Sequence, residues 1–322
     1  MSMKRVLCLM CLMACGGGSV DVPEGTASGV DSTGPTGSNT SSSTPSGSIQ
    51  GDCTVAPVAV QDEMRGMTVA GLSRQYRLTV PPAAAGEAMP ILMGFHGADG
   101  RNYPFQQEQE FEAISLEDNV ILVFPLSELV PPNEGEWQLN TPSNATHDID
   151  FVEAILDELS TEYCVDTGRV YATGYSIGSM FSYEVACQLS DRFSAIASYA
   201  GTMPVNPNTC PVEGNLALMH LHGRDDWLID YDLPWDWKEW DPVGTMMDIP
   251  SLVDFWSEQQ GCQTVDETLD SWGVHQVHSD CNGSVRVEHY GLAGVQHEWP
   301  EKINGTTTAR VIWDFVSEFS RP

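Results

Sequence analysis

A serine between two glycines is the residue of this chain best suited to act as a nucleophile. The pentapeptide Gly174-Tyr175-Ser176-Ile177-Gly178 has the pattern G-x-S-x-G, follows an apolar run at 169–173 and precedes a helical pattern over 177–189. A strand that turns at once into a helix presents the intervening side chain outward, and glycines relieve the crowding around it. The pattern predicts a serine hydroxyl exposed at a helix start, although a glycine-flanked serine can also serve only as a helix cap.

A serine nucleophile needs a histidine base, and the base needs an acid that orients it. His222-Gly223-Arg224-Asp225-Asp226 follows the apolar run 216–220 and provides two adjacent acids. His297 follows the last apolar run of the chain. The order serine, acid, histidine is one of those that build a catalytic triad. It predicts that Ser176, one of the two acids and His297 meet in the fold.

A loop early in the chain is expected to complete this site. Gly94-Phe95-His96-Gly97-Ala98 ends the apolar run 91–95. Backbone amides in such a loop, together with the amide after the nucleophile, stabilise the oxyanion of a tetrahedral intermediate. We therefore predict the amides of Ala98 and Ile177 as the oxyanion hole, with His96 beside the substrate.

An H-x-x-H pair offers a competing kind of site. His275 and His278 have spacing that can bind a metal ion, and they lie in a segment between Cys262 and Cys281 that reads as irregular and exposed. The absence of any C-x-x-C pair disfavours a zinc centre built on the cysteines. No metal and no organic cofactor are predicted.

Short apolar runs alternate with helical patterns along most of the chain. Continuous rather than alternating apolar character is typical of strands buried on both faces of a parallel sheet. The alternation predicts one α/β domain with a mostly parallel, doubly wound sheet flanked by helices. The apolar runs are at 77–80, 91–95, 120–124, 169–173, 195–199, 216–220 and 285–290, and the helical patterns are at 148–159, 177–189, 251–258 and 307–319.

The composition excludes several functions for this domain. The 322 residues include 14 Lys+Arg and 45 Asp+Glu, a formal net charge of −31. Nucleic acid and anionic membrane surfaces would both be repelled. Such a surface fits either a saline habitat or ordinary colloidal solubility.

The N-terminal region predicts export. Lys4 and Arg5 precede a short apolar run that ends at Cys15, and residues 16–52 are nearly all Gly, Ser, Thr, Pro, Asp and Val. We interpret 1–14 as a signal peptide, 15–52 as a lipidated Cys15 with a disordered tether, and 53–322 as the folded domain. The protein is expected at the bacterial outer membrane or cell surface, where only the lipid anchor would hold it. Simple secretion after cleavage is the alternative.

Six cysteines remain after the signal region, which in an exported domain indicates three disulfides. Helix 177–188 runs back about as far as the preceding strand advances, which brings Cys187 to the level of Cys164. Cys262 and Cys281 bracket one segment. We therefore predict the pairs Cys164–Cys187 and Cys262–Cys281 and, by exclusion, Cys53–Cys210.

Five motifs together resemble the esterase family of poly(3-hydroxybutyrate) depolymerases and feruloyl or acetylxylan esterases, from about Cys53 to Phe319. The resemblance implies an α/β-hydrolase fold, with Ser176 as nucleophile, His297 as base and Asp226, rather than Asp225, as acid. The motifs do not specify the substrate. They are His96-Gly97, Gly174-Tyr175-Ser176-Ile177-Gly178-Ser179-Met180, Ala186-Cys187-Gln188-Leu189-Ser190-Asp191-Arg192-Phe193, His222-Gly223-x-x-Asp226 and His297-x-Trp299-Pro300.

An aromatic stretch follows Asp226 and departs from the family, in which this region is shorter. Its side chains are predicted either to line a cleft for a phenolic acyl group or a polymer, or to form a small hydrophobic cap. The predicted substrate-binding aromatic residues are Tyr175, Trp227, Trp235 and Trp237, together with Trp137 from an earlier segment.

The predicted function is that of an exported serine carboxylesterase acting on polymer-linked esters, with feruloyl or acetyl groups on plant polysaccharide as the leading substrate. Polyhydroxybutyrate depolymerisation is the alternative, and a non-catalytic surface binding protein is a remote one. The expected partner is a polymeric or small ester, and the protein is expected to be a monomer.

Overall fold

An eleven-stranded sheet forms the centre of the computed structural model, which describes residues 49–98, 108–127, 129–130, 133–134, 137–140, 146–236 and 243–322. The predicted signal peptide, most of the predicted tether, Cys15 and Trp237 lie outside these residues. The strands of the sheet are β1 (Ile49–Gln50), β2 (Val60–Val69), β3 (Leu72–Val80), β4 (Met89–Phe95), β5 (Ile121–Pro125), β8 (Val165–Tyr175), β9 (Ala195–Tyr199), β10 (Ala217–Gly223), β13 (Thr264–Asp270), β14 (Gly273–Ser279) and β15 (Val287–Leu292). The described residues also form three two-stranded ribbons: β6 (Leu129–Val130) with β7 (Asn133–Glu134), β11 (Trp235–Asp236) with β12 (Thr245–Met246), and β16 (Lys302–Ile303) with β17 (Thr306–Thr307).

Six neighbouring strands of the sheet are parallel. In space they follow the order β15, β10, β9, β8, β4, β5, and antiparallel strands continue the sheet at both sides, β14 and β13 beyond β15 and β3 and β2 beyond β5. The carboxyl ends of the parallel strands therefore meet at one edge. This architecture confirms the predicted α/β-hydrolase sheet.

Within the residues that the structure describes, five α-helices cover both faces of the sheet. They are α1 (Glu108–Asp118), α2 (His147–Glu162), α3 (Ile177–Gln188), α4 (Ile249–Gln259) and α5 (Thr308–Val316). A hydrophobic core lies on each face of the sheet, and alternate side chains of β4 enter opposite cores. Ile91 and Met93 pack with α2, α3 and α4, whereas Leu92 packs with α1 and α5. Apolar residues are thus needed at every position, which explains why the predicted strands were recognisable as continuous apolar runs.

The segment between Cys262 and Cys281 is a β-hairpin rather than the predicted irregular stretch. β13 and β14 pair antiparallel through seven residues each, and every residue of β13 is exposed. A strand at the sheet edge with no buried face carries no apolar pattern, so its sequence, TVDETLD, did not indicate a strand.

The pairing of the chain with the sheet begins slightly before the predicted domain boundary at Cys53. Ile49 and Gln50 pair antiparallel with the first residues of β8, Asp166 and Val165. The last residues of the range predicted as tether are therefore part of the sheet.

Two of the three predicted disulfide pairings are wrong. The structure joins Cys53 to Cys164 and Cys187 to Cys210, whereas the pair Cys262–Cys281 is confirmed. The predicted pairs were based on how far each cysteine lies along the direction of the strands. Cysteines at the same level can still lie far apart across a wide sheet. Position across the sheet decides the pairing.

Local contacts explain both corrected pairs. Because β1 runs beside the start of β8, Cys53 arrives next to Cys164. The segment that follows β9 returns to the end of α3, where the amide of Glu213 donates to the hydroxyl of Ser190 at 2.8 Å. That return brings Cys210 to Cys187.

Within the described residues, no helix combines the length and apolar character needed to cross a membrane.

Candidate active site

Ser176 occupies a strained turn between β8 and α3. Its backbone angles are φ +56° and ψ −121°, a conformation that non-glycine residues rarely adopt. The flanking glycines permit it, because a Cβ on Gly174 would lie 2.2 Å from the carbonyl oxygen of Gly178, and one on Gly178 would lie 2.1 Å from the carbonyl oxygen of Phe95. The amide of Ser176 donates to the carbonyl of Tyr199 at 3.0 Å, which fixes the turn against β9.

His297 connects the serine to an acid. Its Nε2 lies 2.9 Å from Oγ of Ser176, and its Nδ1 lies 2.7 Å from Oδ2 of Asp226. These residues follow β8, β10 and β15, whose carboxyl ends lie at the same edge of the sheet. The structure therefore brings the three residues of the predicted triad together at that edge.

Asp226 is held as an anion in a buried position. Burial opposes its ionisation, but hydrogen bonds from His222 and His297 outweigh that effect and hold the pKa of its carboxyl well below the usual range. Its Oδ1 also accepts the amides of Leu228 and Ile229, both at 2.9 Å. An ionised acceptor on Nδ1 leaves the Nε2 lone pair of His297 facing the serine hydroxyl.

The neighbouring acid, Asp225, has a different contact. Its Oδ2 accepts the amide of Gly294 at 2.8 Å, and its own amide donates to the carbonyl of Val295 at 3.0 Å. Asp225 therefore holds the turn that leads to His297, and it does not bond the imidazole.

The loop predicted to supply an oxyanion donor lies against the serine. A Cβ on Gly97 would be 3.5 Å from Cβ of Ser176, which places this loop directly beside the nucleophile. Ile177 is the first residue of α3, and the first amides of a helix have no acceptor within the helix. The amides of Ala98 and Ile177 remain the predicted oxyanion donors.

His96 and Trp137 were predicted to contact a substrate, but the structure places them behind that loop, which they support. They are only 1% and 2% exposed, so neither can form the wall of an open cleft. His96 accepts the amide of Ser127 on Nε2 at 3.1 Å, and its Nδ1 lies 2.7 Å from the carbonyl of Gly97. Trp137 donates its indole N–H to the carbonyl of His96 at 2.9 Å and stacks on Phe181 with 4.6 Å between ring centroids.

Tyr175 was predicted as a substrate contact, and its ring and hydroxyl both contact His297. Its ring stacks on that of His297 with centroids 5.5 Å apart, and its hydroxyl donates to the His297 carbonyl at 3.1 Å. Trp299 packs edge-on against Tyr175 at 6.2 Å. This aromatic group restrains the loop that carries the base.

The tryptophans after Asp226 have different surroundings. Trp227 is 57% exposed and directly follows the acid, so it remains available to a substrate. Trp235 begins β11 and packs partly against the core on the α3 face, which fits the alternative of a hydrophobic cap. Trp237, the third predicted contact, lies outside the described residues.

The H-x-x-H pair does not form a metal site. His275 and His278 both lie on β14, where residues three apart face opposite sides of the sheet. His275 stacks on Tyr290 with centroids 4.1 Å apart and pairs with Glu288 at 3.2 Å. Among the residues that the structure describes, no three His, Cys, Asp or Glu side chains are grouped to hold a metal ion.

A buried histidine cluster beside Asp226 was missed by the sequence analysis. His220, His222 and His289 are at most 1% exposed and lie on the adjacent strands β10 and β15. The only available signal was the position of His222 in the motif His222-Gly223-x-x-Asp226, since histidines within apolar strands read as ordinary core residues.

A parallel sheet with helices on both faces, carrying a serine turn, a histidine and a buried aspartate at its carboxyl edge, defines an α/β hydrolase. No protein-family model matches the chain. The curated relatives that it matches include feruloyl and acetylxylan esterases, in agreement with the resemblance. The part of the resemblance that concerns polyhydroxybutyrate depolymerases stays a prediction.

Two relatives show the extent of the similarity. The chain is 24% identical over 250 residues to a bifunctional acetylxylan esterase/xylanase of Neocallimastix patriciarum, covering 78% of this chain and 34% of that protein. It is 23% identical over 239 residues to feruloyl esterase B of Piromyces equi, covering 73% of this chain and 43% of that protein. The similarity thus spans less than half the length of either relative.

A solved structure shares the fold. An acetyl xylan esterase from Aspergillus awamori superposes with a TM-score of 0.57 at 15% identity, covering 79% of this chain and 99% of that one. This likeness supports the architecture.

Proposed function

We propose that this protein is a serine esterase that hydrolyses carboxylic esters through an acyl-enzyme. The observation that carries the proposal is the hydrogen-bonded path from Ser176 Oγ through His297 to the ionised Asp226, with contacts of 2.9 Å and 2.7 Å. A nucleophile, a base and an orienting acid in this geometry are what acyl transfer requires.

The chemistry of the first half-reaction uses these three residues. Oγ of Ser176 bonds to the ester carbonyl carbon while Nε2 of His297 takes the hydroxyl proton, and the carbonyl electron pair moves onto oxygen. The amides of Ala98 and Ile177 stabilise this oxyanion. When the tetrahedral intermediate collapses, the bond to the leaving alcohol breaks and His297 returns its proton to that oxygen.

Water completes the cycle. His297 removes a proton from a water molecule as its oxygen attacks the acyl carbon, and the second intermediate releases the acid and regenerates Ser176. Asp226 remains ionised throughout and stabilises the imidazolium in both halves. None of these steps requires a metal or an organic cofactor.

The proposed substrates are feruloyl or acetyl esters of plant polysaccharide. The named activities of the fungal relatives support this choice. Trp227 also supports it, because an exposed indole beside the catalytic acid offers a flat apolar surface to an aromatic acyl group.

Export is part of the proposal. Three disulfides are typical of proteins that fold in an oxidising compartment. The charged N-terminus, the short apolar run and Cys15 support a lipid-anchored form, and the glycine- and serine-rich stretch would then hold the domain away from the membrane.

A side-by-side assay tests the activity and the substrate. Methyl ferulate, acetylated xylan, polyhydroxybutyrate film and p-nitrophenyl acetate are offered to the wild type, to Ser176→Ala and to the matched control Ser190→Ala. Ser176→Ala is expected to lower kcat by on the order of a millionfold, as in other triads, while Ser190→Ala keeps its activity. Retained activity in Ser176→Ala would overturn the mechanism. Turnover of the film alone would favour the depolymerase.

A further inference from the structure

A path of hydrogen bonds continues from Asp226 into the core. Nε2 of His222 lies 3.2 Å from Oδ2 of Asp226, and Nδ1 of His222 lies 3.2 Å from Nε2 of His220. Nδ1 of His220 is in turn 2.6 Å from the hydroxyl of Tyr183. All of these side chains are buried, so water does not compete for their hydrogen bonds.

The direction of these bonds follows from the acceptors at one end. Nε2 of His222 faces two oxygens that can only accept, Oδ2 of Asp226 and the carbonyl of Ile229 at 2.9 Å. That nitrogen must therefore carry the proton. In a neutral ring Nδ1 is then an acceptor, which requires Nε2 of His220 to donate to it.

The same reasoning fixes the rest of the path. Once His220 carries its proton on Nε2, its Nδ1 accepts from the hydroxyl of Tyr183. Burial, reinforced by neighbouring imidazoles, holds the pKa of His220 well below its ordinary value, and burial raises the pKa of Tyr183. Both groups are therefore neutral over the working range of an esterase.

The carboxylate of Asp226 is fully occupied as a result. Oδ1 accepts two backbone amides, and Oδ2 accepts from His297. The N–H of His222 lies 3.2 Å from Oδ2 and is shared with the carbonyl of Ile229 at 2.9 Å. Two carboxylate oxygens offer about four acceptor sites, and three undivided donors plus the shared N–H of His222 face them. This set holds the carboxyl plane in one orientation against His297.

We propose that His222 is a positioning residue of the active site. Tyr183, His220 and His222 form a donor chain, in which each side chain donates a hydrogen bond to the next and His222 donates to Asp226. This donor chain orients the carboxylate of Asp226 and limits how strongly it attracts a proton. The proposal rests on the esterase function argued above. Tyr183 lies on α3, the helix that begins immediately after Ser176, so the chain links the nucleophile helix back to the catalytic acid.

The charged and titratable groups around Tyr183, His220 and His222 do not provide a donor that could replace the N–H of His222. Burial places the pKa of Tyr231 at about 12 and that of Tyr199 well above its usual value, and burial lowers the pKa of His289 to about 3. Tyr231 and His289 bond each other at 2.7 Å. Among the described residues nearby, Tyr175 bonds the His297 carbonyl, Asp225 accepts the amide of Gly294, and Arg224 lies over the ring of Tyr231. His275 and His278 act on His289, and Glu298 acts on Tyr199, only through their charge.

Loss of the His222 N–H is expected to shift the pH dependence of kcat/KM in one direction. A carboxylate that no longer receives the His222 N–H holds more of its negative charge for the imidazolium of His297. The base then keeps its proton to higher pH, and the acidic limb of the kcat/KM profile moves upward.

The experiment compares three substitutions on p-nitrophenyl acetate. His222→Phe removes the donor at similar ring size and is expected to lower kcat by on the order of tenfold with little change in KM, and to move the acidic limb upward. His222→Gln places an amide N–H close to the position of Nε2 and is expected to restore both. His289→Phe makes the same change at an equally buried histidine off the chain and should leave the limb unmoved.

The outcomes separate positioning from simple destabilisation. A lower melting temperature without a moved limb in His222→Phe, or equal limbs in the Phe and Gln variants, would overturn the proposal. Absence of ester hydrolysis in the wild type would instead contradict the proposed function.

Nitrogen-15 NMR of histidine-labelled wild-type protein provides a test that needs no variant. The expected signature is a proton on Nε2 of both His220 and His222, with Nδ1 unprotonated, at neutral pH. A proton on Nδ1 of His222 would reverse the chain and overturn the proposal even if His222→Phe does not fold.

Discussion

At the residue scale, the site depends on which oxygen faces which nitrogen. Asp225 and Asp226 are adjacent in sequence, yet only Asp226 contacts His297, because the turn after β10 directs one carboxylate inward and the other to the amide of Gly294. Composition and order could not separate the two acids. The spacing His-Gly-x-x-Asp could, through the family resemblance.

A pair of isosteric substitutions tests this assignment. Asp226→Asn is expected to lower kcat by about four orders of magnitude, because an amide no longer holds His297 in the required tautomer. Asp225→Asn removes only the anchor of a backbone turn and is expected to cost far less. Steady-state kinetics on p-nitrophenyl acetate measures both, and equal losses would contradict the assignment.

The residues that sequence analysis misplaced were those whose role depends on burial. His96 and Trp137 read as cleft residues because of their position near the oxyanion loop, but their side chains point into the core and brace the loop from behind. His222 lies within the buried strand β10, and only its place in the motif His222-Gly223-x-x-Asp226 linked it to its partner.

At the element scale, α3 organises the site and its surroundings. It begins immediately after Ser176 and ends near Cys187, and midway it carries Glu184, which accepts the backbone amide of Asn140 and a side-chain N–H of Gln188. Asn140 also donates to the carbonyl of Val243 at 3.0 Å. The buried carboxyl thus joins the helix to the segment of Asn140, and the side chain of Asn140 joins that segment to Val243.

Stability should decline between about pH 4.5 and 7 through Glu184. Burial raises the pKa of this carboxyl to about 7, so the folded state favours its protonated form. The contribution is fully present below the ordinary pKa of 4.5 and is lost as pH rises through 7, about 3 kcal/mol in all. Urea unfolding at several pH values should show a shallower decline in Glu184→Gln. Identical pH dependence in variant and wild type would contradict the assignment.

Buried elements were predictable from sequence and edge elements were not. β4, β9 and β10 are buried along their whole length, so each read as a continuous apolar run. β13 has no buried residue, so its sequence shows no apolar pattern. The hairpin that it forms with β14 was therefore predicted as an irregular segment. The two misassigned disulfides have a related cause, since neither apolar pattern nor strand length specifies position across a sheet.

At the scale of the whole molecule, the disulfides close loops of very different length. Cys53 and Cys164 are 111 residues apart, whereas Cys262 and Cys281 are 19 residues apart. A crosslink removes more conformational entropy from the unfolded chain when the loop is longer.

Removal of each bond should therefore have unequal effects. In the chain-entropy model, the double substitution of Cys53 and Cys164 by serine lowers the free energy of unfolding by about 5 kcal/mol, and that of Cys262 and Cys281 by about 3 kcal/mol. Denaturant titration of the two variants measures the difference. A larger loss for the Cys262–Cys281 pair would show that native contacts outweigh loop length.

The net charge of −31 predicts how stability responds to salt. Repulsion among the acids opposes the compact state, and added salt screens that repulsion. The melting temperature is expected to rise when sodium chloride increases from about 10 mM to 150 mM, over which the Debye length shortens from about 30 Å to about 8 Å. A fall over this range would mean that the surface ion pairs contribute more than the repulsion costs.

The most direct test of the central claim is covalent labelling of Ser176. A fluorophosphonate reacts with a serine only when a base activates it, so the wild type is expected to gain the mass of a single adduct that peptide mapping assigns to Ser176. Ser176→Ala should gain none, and His297→Ala should react far more slowly. A folded wild-type protein that stays unlabelled, or that is labelled at another residue, would contradict the account.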